Sequence, residues 1–357
     1  MNAVCHFCGA KHWLAERVAG SAASPTFSHC CHRGKVALHP LPDPPLPIRA
    51  LLTDQTSEAR HFRHHIRQYN CCFAFTSFRA TDNNNSISGR GPPTWKTGYQ
   101  LYHSAGPLLP PLGEQPLYAQ LYFYDADDAI HFRTRRNPNL RGELIATLHR
   151  TLSECNPFSK LFLHAREVLR HVNSGNLAIR IVADPVMDQR RYNVPSVDEI
   201  AVVIVGNEQD VNAGRDIILR PRDGGLQRIS DLHSAYAPLH YVLLFPLGTA
   251  GWNPNLTLTT SNTKRMSQVQ FYSYRLHLRD DDFPSLHVGG RLFQQYMCDV
   301  WVSCDQNRLR WVQHNQPKLH TDLYSGLEDI ASQNDNDLDL TSIGRRVVLP
   351  SSYVGGP

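Results

Sequence analysis

The chain is short of several things. No stretch of its 357 residues approaches the apolar run that spans a bilayer, so an integral membrane role has no support. Met1–Ala10 has no apolar core and does not read as a secretory leader. Without one, nine cysteines point to a reducing compartment rather than a disulfide scaffold. A strong charge of either sign is missing too. Lys and Arg number 36 against 32 Asp and Glu, leaving +4, which suits a polyanionic partner but is too mild to demand one. Charged residues make up 19% and hydrophobic ones 41%, which excludes wholesale disorder. The expectation is an intracellular, soluble chain with room for two or three cored domains.

What is present begins with cysteine. Cys5-His6-Phe7-Cys8-Gly9 is followed by Cys30-Cys31-His32-Arg33-Gly34-Lys35. Cys-x2-Cys-Gly is half of a zinc knuckle: the tight turn lets two thiolates converge, and glycine frees the backbone where its amide points at sulfur. Neighbouring residues usually point apart, so Cys31 could be joined by Cys30, His29 or His32. The expectation is a closed, structural Zn2+ on Cys5, Cys8, Cys30 and Cys31, with no open position for chemistry. Reduced thiols on a loose arm are the alternative.

Leu38–Pro47 is proline-dense and reads as an extended linker. Ile48–Arg67 then reads as a basic helix carrying His61, Arg63, His64, His65 and Arg67. With no carboxylate or cysteine nearby, those histidines suit a solvated face better than a metal site. Tyr69–Thr76, Gln100–His103 and Tyr118–Tyr124 carry strand-like aromatics, which can stack bases but more often form core. Asp82–Pro93 is a polar loop. Asp125, Asp127 and Asp128, with His131 in reach, suit a turn or the acid cluster of a metal nuclease.

From Arg141 the apolar period becomes helical, through Leu144, Ile145, Leu148 and Leu152. A second helical face runs from Phe158 to Val172, and Asn156-Pro157 between them predicts a helical hairpin. Ala178–Ala183, Ile200–Val205 and Gly214–Leu219 read as strands, with a turn at Arg190–Pro195. Pro238–Trp252 reads as a buried strand closed by Pro246, Gly248 and Gly251. Gly290–Asp305 is a clear helix, with Leu292, Phe293, Tyr296, Met297, Val300, Trp301 and Cys304 on one side and a basic tail of Arg308, Arg310, His314 and Lys318. Val347–Leu349 begins another strand, and the chain is expected to stop in mid-domain. The fold class is α+β: an N-terminal zinc knuckle, a mixed β-rich middle with a helical hairpin, and a helical C-terminal module. The expected divisions are 1–37 (knuckle), 38–67 (linker and basic helix), 68–262 (middle domain) and 263–357.

These words, taken together, resemble the N-terminal part of the Rep/helicase protein of Helitron rolling-circle transposons. The resemblance rests on the cysteine pairs, Ile66-Arg67-x-Tyr69-Asn70, Phe73–Ser77, Arg191-Tyr192-Asn193, Gly214–Ile217 and Pro238–Trp252. Its strongest block comprises Phe271–Leu276, Gly290–Tyr296, Asn307–Leu309 and Gly344–Pro357. The family implies a nuclear protein that binds DNA as single-stranded transposon ends, and 263–357 would be the start of the Helitron helicase-like domain. It also implies a nuclease with two metal-binding histidines flanking one residue, plus an ATP-driven helicase. No two histidines here are separated by a single residue, and Gly34-Lys35, the sole Gly-Lys pair, lacks the rest of a nucleotide-binding loop. No nuclease or nucleotide site is therefore expected within these residues, and Tyr353 is given no chemistry. Lys264, Arg265, Arg275, Arg279, Arg291, Arg308, Arg310, Arg345 and Arg346 are the candidate phosphate contacts. The alternative is an inactive transposon remnant or a protein-interaction module.

Overall fold

The computed structural model describes residues 1–80, 101–171, 177–182, 201–205, 216–220, 225–280 and 283–316. The Asp82–Pro93 loop, the Arg190–Pro195 turn, Val347–Leu349, Arg345 and Arg346 lie outside them. The chain divides into two compact units, Met1–Asp299 and Val300–Pro357. Among the described residues the fold mixes helices with small antiparallel sheets, as an α+β class requires.

The N-terminal segment is built from two short ribbons, β1 (Ala3–Val4) with β2 (Lys11–His12) and β3 (Ala19–Gly20) with β4 (Pro25–Thr26). Three short helices follow: α1 (Leu46–Thr53), α2 (Ser57–His64) and α3 (Ile66–Phe73). The Thr56 hydroxyl caps α2 by accepting from the Ala59 amide at 3.1 Å, a start signal that divides the single helix expected over Ile48–Arg67. The strand expected over Tyr69–Thr76 is largely helix. Ile66, Tyr69, Asn70 and Phe73 are all buried, at the three- and four-residue spacing of one helical face.

Strand pairing begins only at β5 (Ser77–Ala80), which lies beside β6 (Leu101–Ala105); β10 (Gln227–Ile229) covers the other edge of β6. A second sheet has the order β8 (Ala201–Val205), β7 (Leu177–Ile181), β9 (Ile217–Leu219). Tyr118–Phe123 forms a 3-10 helix instead of the expected strand. Its residues Ala119 to Phe123 are buried in unbroken succession, so no alternation of faces holds it in a ladder.

The expected helical hairpin is present as α5 (Gly142–Cys155) and α6 (Pro157–His171). Asn156 makes the corner. Its Oδ1 accepts from the Ser159 amide at 3.1 Å while its Nδ2 donates to the Pro246 carbonyl at 3.0 Å. Proline at the first helical position gives up no hydrogen bond. Phe158 and Phe162 of α6 pack on Phe75, which also stacks on Tyr122 with ring centres 4.7 Å apart.

The Pro238–Trp252 stretch is buried as expected but is not a strand. It opens with α7 (Tyr236–His240) and continues in turns. A fully apolar run carries no period that separates strand from buried helix. Here Asn70 replaces a ladder: its Nδ2 donates to the His240 carbonyl at 2.8 Å and its Oδ1 accepts from the Leu243 amide at 3.1 Å. The hairpin β11 (Thr257–Leu258) and β12 (Ser261–Arg265) leads to α8 (Gln268–Leu276), whose start is closed by reciprocal bonds between Ser267 and Gln270. The long helix α9 (Gly290–His314) buries Leu292, Phe293 and Tyr296, but Met297 and Trp301 are 37% and 63% exposed. That corrects the single apolar side expected for it.

Asp299, on α9, is 1% exposed. Its carboxylate pairs with His103 Nε2 at 2.8 Å and accepts from the Tyr236 and Tyr241 hydroxyls, both at 2.9 Å. Burial works to raise this carboxyl, but His103, His240 and the Tyr241 hydroxyl together outweigh it and hold the group below its ordinary range. Burial and the neighbouring carboxylate push both tyrosines well above their ordinary values.

A four-cysteine centre and the basic residues around it

The turn between β1 and β2 brings Cys5 and Cys8 together. The Gly9 amide donates to the Cys5 carbonyl at 2.8 Å, and Gly9 has φ +69°. The second pair converges because the chain after Cys31 turns left-handed at three successive residues: His32 (φ 50°), Arg33 (φ 58°) and Gly34 (φ 80°). This bend returns the Gly34 amide to the Cys31 Sγ at 3.2 Å. A Cβ on Gly34 would stand 3.1 Å from the Phe7 ring, so space as well as φ favours glycine.

One sulfur from each of Cys5, Cys8, Cys30 and Cys31 lies within 4.8 Å of the others. Cys5 to Cys31 is 3.8 Å and Cys30 to Cys31 is 3.9 Å. A tetrahedral ion with metal–sulfur bonds of about 2.3 Å sets its sulfurs about 3.8 Å apart. The cluster could therefore hold a metal ion. Both adjacent cysteines belong to the cluster, whereas His29 is exposed and neither it nor His32 joins the group.

The thiols are electrostatically unlike one another. A hydrogen bond from Cys30 brings Cys8 down to about 4 against the opposing effect of burial; the Ala10 backbone and Arg279 add to the lowering. Cys30 is pushed up as the donor in that bond, and burial lifts Cys31 to about 11. A cation entering the cluster would displace the protons that its thiols carry.

Arg279 braces this centre. Its Nε donates to the Cys8 carbonyl at 2.9 Å, Nη1 to the Tyr274 and His277 carbonyls, and Nη2 approaches Cys8 Sγ at 3.7 Å. The guanidinium lies 3.8 Å over the Tyr274 ring. Arg275 donates to the His39 carbonyl at 2.8 Å, and Arg265 to the Asn255 carbonyl at 2.8 Å. The Lys11 amide donates to the Leu278 carbonyl, and the Thr259 amide to the Lys35 carbonyl. Lys264, Arg291 and Arg308 are exposed, and Arg310 is half-buried. The bracing role of Arg279 escaped sequence reading, since nothing in the spacing links residue 279 to residue 8.

The other sequence candidates lie elsewhere. Asp125 pairs with Arg166 at 3.2 Å and Arg170 at 3.3 Å, where it precedes α4 (Ala126–Arg136). Asp127 and Asp128 sit in the first turn of that helix, where acid suits the dipole, rather than in a free turn. His61 stacks on His65, which His64 meets edge-on, and neither these histidines nor the Asp125 group forms a metal-ligating cluster among the described residues. No described helix is long and apolar enough to cross a membrane.

Residues 271–357 match the family described as the Helitron helicase-like domain at the N-terminus. That segment is Helitron-related. The match begins within α8 and takes in Arg275, Arg279 and the whole of α9, so the segment that braces the cysteine centre is itself part of the Helitron-like domain. That domain suggests a role related to the Helitron transposase/helicase and an interaction with DNA. No curated protein matches the chain.

Proposed function

We propose that this chain is the N-terminal DNA-recognition portion of a Helitron-type rolling-circle transposase/helicase, acting on single-stranded transposon ends in the nucleus. In this reading Cys5, Cys8, Cys30 and Cys31 hold a structural Zn2+, which supplies folding and no reaction step. The observation that carries the reading is the bracing of the cysteine centre by Leu278 and Arg279 of the Helitron-like domain. Zinc would fix the N-terminal ribbon, and the ribbon in turn would fix the basic segment that follows.

Support for a polyanionic partner comes from exposed Lys264, Arg291 and Arg308, with Arg265 and Arg310 as further phosphate contacts. Arg275 and Arg279 act differently, as struts that shape a shallow surface groove lined also by Tyr274, Phe283, His39 and His287. Aromatic rings beside guanidinium groups form a surface on which unpaired bases stack. Binding without cleavage is the expected outcome, because no two histidines flank a single residue and Gly34-Lys35 lacks the rest of a nucleotide-binding loop. A protein-interaction module is the second reading, favoured by Trp301 and Trp311, which are 63% and 54% exposed.

The test is binding of labelled single- and double-stranded DNA across a salt series, with Mg2+ or Mn2+, with and without a zinc chelator. Binding that prefers single strands, falls with salt and weakens on chelation supports the proposal. Lys264→Ala and Arg308→Ala should each lower the salt slope by about one while weakening all sequences alike. Unchanged slopes, or no binding to either form, would leave the interaction module as the better account.

A further inference from the structure

We propose that the exposed side of α9 between Trp301 and Trp311 docks against the same side of a second copy of this chain, with the two helices antiparallel. Tryptophan is a large side chain that folding normally covers, yet Trp301 is 63% and Trp311 54% exposed. Both stand on α9 within the compact unit that begins at Val300. Arg308 lies between them and is exposed. Trp301, Arg308 and Trp311 follow one another at steps of seven and three residues, the spacing of a coiled-coil seam, so they share one side of the helix.

Charge decides what covers this side. Asp305 is half-buried beside the seam, four residues after Trp301 and three before Arg308. Among the described residues neither the Asp305 carboxylate nor the Arg308 guanidinium has an ion pair or a side-chain hydrogen bond. One acid and one base three residues apart form a self-complementary pair. A two-fold axis beside Gln306 reverses the chain direction and brings Asp305 of each copy within about 1.5 Å, measured along the helix, of Arg308 of the other. The same axis sets Trp301 of one copy level with Trp311 of the other, since each stands five residues from Gln306. Each end of the contact then closes on two indoles.

A nucleic acid laid along the seam would meet the Asp305 carboxylate between the rings and be repelled, whereas a second copy supplies its counter-charge. Tryptophan and arginine are also the side chains that carry most of the affinity in protein interfaces. One helix side is small beside the roughly 800 Å2 that a standard interface buries on each partner, so the association is expected to be micromolar.

The experiment is sedimentation equilibrium of the full chain over a concentration series. It is run without DNA, because Arg308 cannot meet a phosphate and a carboxylate at once. A monomer–dimer equilibrium is expected. Trp301→Ala should weaken it by about 30-fold or more, as loss of an interface anchor does. Arg308→Asp should weaken it by about tenfold or more, since each Asp305 would then face another carboxylate. Adding Asp305→Arg to Arg308→Asp restores opposite charges across the axis and should bring the dimer back. Circular dichroism checks the fold of each variant, and should Trp301→Ala lose it, the charge pair decides alone. A monomer throughout the series, a dimer that Trp301→Ala leaves intact, or a charge reversal that the second substitution does not rescue would overturn the proposal. So would a chain that stays monomeric and loses oligonucleotide binding on Trp301→Ala, which would assign this side of the helix to DNA.

Discussion

The N-terminal knuckle and the interior around Asp299 are both buried and both polar at their centres, yet they are held by different means. Within residues 1–36 the buried hydrophobic residues are Cys5, Ala10, Phe27, Cys30, Cys31 and Val36, so half of them are the cysteines themselves. Around Asp299 the polar groups satisfy one another directly and sit among large side chains such as Tyr241, Tyr296 and Phe245. The lesson is one of dependence. The interior carries its own counter-charges and apolar area, while the knuckle leaves its central contacts to be completed by an ion.

The sharpest way to break this contrast is to remove the ion. Chelation, or Cys30→Ser, should abolish protection from hydrogen exchange over residues 1–36 while the Phe75, Tyr122 and Phe162 region keeps its own. The effect should be large, because structural zinc contributes about 10–16 kcal/mol to comparable small sites. If the interior loses protection in step, the two regions are not independent. Next in size is Asp299→Ala, which leaves His103, Tyr236 and Tyr241 without their shared acceptor. A loss of about 3–5 kcal/mol is expected by thermal or denaturant unfolding, with metal content unchanged. Asp299→Asn keeps the shape and two acceptor sites, so its cost should be smaller.

The smallest effect, taken over one pH unit, is a pH dependence belonging to the interior. His149 is brought down to about 4, first by burial and then by Arg133, and His240 to about 3, first by burial and then by His103. Both are neutral in the folded chain at pH 7. As pH falls through about 6.5 the unfolded chain gains these protons and the folded chain does not, so stability declines. Each histidine should remove about 1.4 kcal/mol per pH unit until its folded value is reached, and stability should be flat in this respect above pH 7. Replacing His149 by Gln should flatten the acid limb of a denaturation series by its own share.

The cysteine pairs, the hairpin hinged on Asn156-Pro157 and the helix from Gly290 were legible because each is a local signal. The strands expected at Tyr69–Thr76 and Pro238–Trp252 were not, and for one reason. Both stretches are buried on nearly every side, and Asn70 satisfies backbone groups that a ladder would otherwise claim. The Asp299 network did leave a mark: one acid stands on the helical face of Leu292, Tyr296 and Val300, where charge is costly without partners. Its partners could not be named, since His103 is 196 residues away in the chain.

The bonds from Lys11 to Leu278 and from Arg279 to Cys8 bear on the order in which the protein can be made. A ribosome releases Cys31 long before Arg279, and at about 5–20 residues per second the interval is roughly 12–50 s. Throughout that time the nascent N-terminus lacks the brace it has in the finished fold. The newborn segment must either capture its ion unaided or wait, thiols open to oxidants and to competing cations, until translation delivers the residues that close over it.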